Sequence, residues 1–184
     1  DLRGVDLTGV DCSLIKIRQA DLSGAVLENA DLQGARLENV VLVAAKCART
    51  SLAGAYLEKT VATGACLAGA VMTRAQAKDS TFREADLQGA NLVNTGFTKV
   101  DFSGAKLARV LATRARFRNI RANGADLSGI DLREAVLEHS ILVETKMPRA
   151  EANRAMFPHS TFKDSNLSGG NCMGADFQNS TLRR

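Results

Sequence analysis

A five-residue period runs through this chain without a slip. If each unit is numbered by its central residue, the centres fall at positions 2, 7, 12 and onward to 182. Of these 37 positions Leu fills 19, Phe 7, Ala 5, Cys 3, Met 2 and Ile 1, and none is charged. Two residues earlier, at 5, 10, 15 and onward to 180, stand only Ala, Val, Ile, Thr, Ser and one Gly. The stretch ADLSGAVLENADLQGARLEN, Ala20 to Asn39, holds four such units in a row.

The ordinary elements cannot carry this period. Five residues of α-helix rotate by about 500°, so an apolar repeat of five spirals off any face. A strand alternates with period two, and because five is odd the apolar face would flip at every unit. The chain must therefore turn once per unit to restore its phase. Thirteen of the fifteen Gly lie at the last position of the unit, where a tight turn needs backbone angles that Gly tolerates. The chain then winds into a coil, with centres and small residues pointing inward and the backbone pairing with the coils above and below, about 4.8 Å away. This is a β-solenoid, stabilised by stacking of neighbours. Period alone leaves three or four units per coil open.

Units such as ADLSG, ADLQG and DFSGA resemble the pentapeptide-repeat family with its A(D/N)LXX pattern, and the resemblance covers all 184 residues. It implies an all-β, right-handed quadrilateral parallel β-helix with four units per coil. That gives about nine coils and a rod roughly 45 Å long at the strand spacing. One uninterrupted domain, 1–184, is expected. The chain opens inside a repeat at Asp1 without an initiator Met, so it is expected to be a module excised from, or flanked by, further sequence.

On that fold, residues twenty apart stack. Phe82 should lie under Phe102, Phe97 under Phe117 and Phe157 under Phe177, as interior ladders. Five centres are Ala (62, 77, 112, 122 and 152), and those coils should pack more loosely. Lys59, Asp79 and Lys99 should stack on one corner, and Arg114, Glu134 and Arg154 on another. His139 and His159 share a corner about 5 Å apart. Their stacked neighbours Asn119 and Asn179 are poor ligands, so no metal site is expected, and no cofactor.

Cys12, Cys47 and Cys172 are centres and should be buried, with Cys66 outward. No pair shares a face and adjacent coils, so no disulfide framework is expected and the chain reads as a protein of a reducing compartment; with the resemblance, this implies a bacterial, cytoplasmic protein. No apolar run reaches the ~18 residues of a membrane span, and no basic-plus-apolar leader is visible. No nucleophile–base–orienter set and no G-x-x-x-x-G-K-[ST] phosphate loop can be assembled, so no enzyme is expected.

Recognition is left to the outer surface. The chain carries 24 basic and 20 acidic residues, a net charge of +4. That balance is too mild and mixed to argue for nucleic acid, and the Phe residues are committed to the core rather than free for base stacking. The densest basic stretch, KLARVLATRARFRNIR from Lys106 to Arg121, should circle the rod as a belt, with Arg116 and Arg118 side by side. Arg114, Arg116, Arg118 and Arg121 are therefore partner-binding candidates. So are Val41, Val43, Val61, Ile141 and Val143, outward β-branched residues on one side that form two apolar contact zones.

The reading that follows is a rigid protein–protein interaction scaffold with an unidentified protein partner. Its open ends would be covered by a flanking domain, a partner or end-to-end self-association. The resemblance places such modules in larger bacterial proteins, including accessory proteins of type VI secretion. It also offers an alternative, a DNA-mimicking protein that binds DNA gyrase and confers fluoroquinolone resistance. Mimicry of a duplex with one charge per roughly 1.7 Å requires an acidic surface, which a net basic chain does not announce.

Overall fold

The computed structural model describes residues 1–183, and among these there is no helix. Backbone partners lie twenty residues apart from Asp6↔Val26 to Thr161↔Thr181, all parallel. The coil thus has four five-residue sides. Side 1 is centred on Leu22, Leu42 and their column, side 2 on Leu27 and Cys47, side 3 on Leu32 and Leu52, and side 4 on Leu37 and Leu57.

Each centre donates its amide forward, as Leu22 N–H does to the Val41 carbonyl at 2.7 Å. Each residue just before a centre donates backward, as Val26 N–H does to the Val5 carbonyl at 2.8 Å. Between Leu22 and Phe162 every centre is buried. The small residues two positions earlier close the core at the corners, and where they are Thr or Ser their hydroxyls go to carbonyls. Thr50 Oγ1, for example, donates to Leu27 O at 2.6 Å.

The corner residue has positive φ in every unit from Gly4 to Asn179. Thirteen of these residues are Gly, at 63–69°, and twenty-three are not, at 49–60°. The expectation that Gly suits the corner holds, but the coil imposes the left-handed conformation on Leu14, Ala44 and Lys59 as well. Isolated residues of these types resist it by about 1–2 kcal/mol each. The ladder bonds on both sides of every corner hold them there.

The Asp or Asn that opens many units is a local cap. Its side-chain oxygen accepts the amide two residues on, as in Ser23 N to Asp21 at 2.9 Å, Ser103 N to Asp101 at 2.8 Å and Ser128 N to Asp126 at 3.0 Å. Side 4 has no Asp or Asn at that position from Lys16 to Val136, and among the described residues it alone forms three-residue strands: β1 (Lys16–Arg18), β2 (Arg36–Glu38), β3 (Tyr56–Glu58), β4 (Gln76–Lys78), β5 (Gly96–Thr98), β6 (Arg116–Arg118) and β7 (Val136–Glu138). They make one parallel sheet in the order β1 to β7. A missing cap is not sufficient, since units opened by Val41, Lys46 and Val71 on the other sides make single bridges.

This continuous sheet spans six coil-to-coil steps rather than the nine coils expected, and single bridges carry the stacking beyond it. It stops where Pro158 has no amide hydrogen for the carbonyl of Leu137. The hydroxyl of Ser160 donates to this carbonyl at 2.8 Å, as the hydroxyls of Thr60 and Ser80 do to Leu37 and Leu57 within the sheet at 3.3 Å.

The Phe ladders form as expected. Ring centroids lie 5.5 Å apart for Phe82–Phe102, 5.7 Å for Phe97–Phe117 and 4.7 Å for Phe157–Phe177. Two voids of about 10 and 20 Å³ remain in the core, one bordered by Ala62 and the other by Ala122. Looser packing at these two Ala centres is thus visible.

Candidate interaction surfaces

The cysteine expectations need correction. Cys47 is buried, but Cys12 is only half-buried and Cys172 is exposed, because their coils lie near the two ends of the rod and lack a neighbour on one side. All four thiols are free. Burial pushes the Cys47 thiol up to about 12, so it stays protonated and inert.

His139 and His159 stack as expected, with ring centroids 4.8 Å apart and planes 6° from parallel. Glu138 Oε1 lies 3.5 Å from His139 Nε2. No cluster of three or more metal-ligating side chains occurs among the described residues.

The valine candidates share side 1, and Val41 and Val61 are direct bridge partners. Val43 and Ile141 are exposed, while Val41, Val61 and Val143 are half-buried. The two zones are separated by coils carrying the Arg83–Asp101 ion pair at 3.3 Å and by Arg121, which bridges to Ile141. Arg121 therefore falls on the valine side and divides its apolar zones.

The remaining arginines sit elsewhere on the belt. Arg116 and Arg118 flank buried Phe117 on β6. Arg114 turns the preceding corner and pairs with Glu134 at 2.8 Å, and Arg118 approaches Glu138 at 3.6 Å. The structure thus distributes the four arginines over two sides and a corner and leaves only some of their charge unpaired. The Arg114–Glu134 part of the expected ladder is formed. Lys59–Asp79–Lys99 is not among the ion pairs within 4.0 Å of the described residues.

Further apolar residues are exposed away from the valine column, among them Val71 and Leu111 on side 3 and Met156 on side 4. Val71 and Leu111 stand forty residues apart, two coils along one column.

Carboxylates are interleaved with cations or interrupted. On side 3, the side with fewest cations, Asp31 and Asp131 are separated by four coils without an acidic residue, and Asp131 is itself paired with Arg133 at 2.6 Å. No side presents an unbroken acidic strip. Among the described residues no helix is long and apolar enough to cross a membrane.

The chain is similar to solved pentapeptide-repeat structures. Two trypsin-treated forms of QnrB1, a plasmid-mediated fluoroquinolone resistance protein, superpose with TM-scores of 0.63 and 0.61 at 18% and 17% identity. Each covers 94% of this chain and 89% of the other. HetL, a pentapeptide-repeat protein involved in heterocyst differentiation regulation from the cyanobacterium Nostoc sp. strain PCC 7120, gives a TM-score of 0.47 at 22% identity, over 95% and 88% of the two chains. No curated protein matches. Eight copies of the family description "Pentapeptide repeats" match, over residues 1–42, 20–58, 41–76, 78–111 and 113–148. With this match along most of its length and a coil of four five-residue sides, the chain belongs to the pentapeptide-repeat family.

Proposed function

We propose that this protein is a non-enzymatic, rigid scaffold for protein–protein recognition. The observation that carries the reading is the filled interior. The two core voids measure about 10 and 20 Å³, too small for a ligand, which leaves recognition to the outer surface. Those sides are stiff, because every coil is bonded to the next, and a pre-ordered surface loses little entropy on docking. The partner is a bacterial cytoplasmic protein. In its narrowest form the reading is an adaptor module of a type VI secretion accessory protein. End-to-end self-association belongs to the same reading.

The test is affinity capture from native lysate with the wild-type chain, a Val43→Asp/Ile141→Asp variant and an Arg116→Glu/Arg118→Glu variant. A protein that binds wild type and is lost from one variant supports the scaffold. Retention of the same proteins by all variants and by an unrelated solenoid counts against it. The arginine pair is exposed, so its reversal leaves the far-ultraviolet β spectrum unchanged.

A second reading is favoured by the likeness to QnrB1, that the chain binds gyrase and confers fluoroquinolone resistance. The interleaved charges weigh against duplex mimicry. Expression in a susceptible bacterium decides it, since an unchanged inhibitory concentration of a fluoroquinolone sinks this alternative.

A further inference from the structure

Stacking at twenty-residue intervals creates a surface that no stretch of the linear chain displays. The runs 48–56, 68–76, 88–96 and 108–116 lie on four successive coils. Together they cover the edge of side 2, all of side 3 and the edge of side 4. They contain no Asp, no Glu and no Lys, but five Arg: Arg49, Arg74, Arg109, Arg114 and Arg116. The boundaries are abrupt. One coil below stand Glu28 and Asp31, and one coil above stand Asp131 and Glu134.

All five arginines are exposed. Arg114 is held by Glu134, outside the panel, and Arg49 by a 2.9 Å bond to Asn29. Arg74, Arg109 and Arg116 form no ion pair within 4.0 Å among the described residues. Arg49 and Arg109 stand on the corner between sides 2 and 3, Arg74 and Arg114 on the corner between sides 3 and 4. Between these rows the surface is uncharged and mixed: Val71 and Leu111, 39% and 46% exposed, stand in one column with Asn91 between them, and half-buried Val93 lies beside Asn91 among Ser51, Thr73 and Thr113.

We propose that this arginine-framed panel on side 3 docks an acidic protein segment through an apolar anchor. The proposal rests on the scaffold reading and names the partner's chemistry. Guanidinium groups match carboxylates in a planar, two-point fashion that ammonium groups do not. Leu111 and Val71, set among uncharged residues, offer the apolar contact that the desolvated centre of a protein interface needs. Nucleic acid fits less well. It calls for stacking surfaces and a denser cation track, whereas every Phe in the panel's coils is turned inward. Four coils span about 14 Å along the rod, the length of about four extended residues or nine helical ones. The occupant is therefore a short segment bearing Asp or Glu on both sides of an aliphatic or aromatic residue.

The experiment is selection of a random peptide library displayed on phage against the full chain, followed by solution affinities of the enriched peptides. The expected peptides carry acids around one apolar residue. They bind Arg74→Glu/Arg109→Glu about tenfold or more weakly and weaken as salt is raised. They bind Leu111→Ser several-fold more weakly, and they ignore Arg83→Glu on side 1. The idea is overturned by an unenriched library, by enriched peptides without acids, by binding indifferent to the Arg74/Arg109 reversal, or by a duplex oligonucleotide that outcompetes acidic peptides. Peptides lost on Val43→Asp but not on the panel reversals would overturn this panel and leave the scaffold reading standing. Failure of that reading shows separately, in the lysate capture.

Discussion

The hydroxyl of Ser160 donates to the carbonyl of Leu137, in the coil below, at 2.8 Å. In the six coil steps from β1 to β7 a backbone amide fills the equivalent carbonyl. Here that residue is Pro158, which has none to give. Ser160→Ala therefore leaves a buried carbonyl unpaired and should lower stability by about 1–3 kcal/mol. Ser160→Thr should keep most of it. Thermal melts followed by circular dichroism compare the two, and equal melting temperatures for wild type and Ser160→Ala would remove this account of the sheet's end.

Phe97 sits at the centre of an aromatic cluster, 5.7 Å from both Phe102 and Phe117. Phe97→Ala should cost about 3–5 kcal/mol. Phe177→Ala, at the half-buried end of the other ladder, should cost clearly less. Denaturant titration of both variants checks the order.

Gly24 has φ +66°, and a Cβ there would meet nothing within 4 Å. Gly24→Ala thus isolates backbone strain from packing and should destabilise by about 1 kcal/mol. A melting temperature equal to or above wild type would mean that the coil does not hold this corner in the left-handed region.

Acid should loosen the rod through the capping carboxylates. Asp126 is held below the ordinary carboxylate range by the Ser128 hydroxyl, and Asp131 by the Arg133 guanidinium. A group whose pKa is lower folded than unfolded stabilises fully above the unfolded value, near 4. That contribution is lost as pH falls through the folded value. Stability should therefore be flat with respect to these groups above about pH 5 and should decline below about 4. Asp126→Asn keeps the cap without the charge, so it should flatten the acid limb. An unchanged limb would assign the loss to other carboxylates.

How much was legible before the fold was known is best seen in particular residues. Leu22, Phe82 and Ala25 could be placed in the core because a period of five with uncharged centres has one inward solution. Cys172 could not be placed by the same rule, since burial of a centre needs a coil above it. The valine column was visible at its spacing, but Leu111 and Val71 became neighbours of Arg74 and Arg109 only once four units closed each coil.

The five-residue period by itself determined a solenoid, its inward residues and a turn in every unit, because local backbone geometry must restore phase at each one. Only the tertiary structure decided which residues twenty apart share a side, where the continuous sheet ends at Pro158, and how five arginines frame one acid-free panel. These depend on the number of sides per coil and on hydrogen bonds between coils, and neither is a property of any single unit.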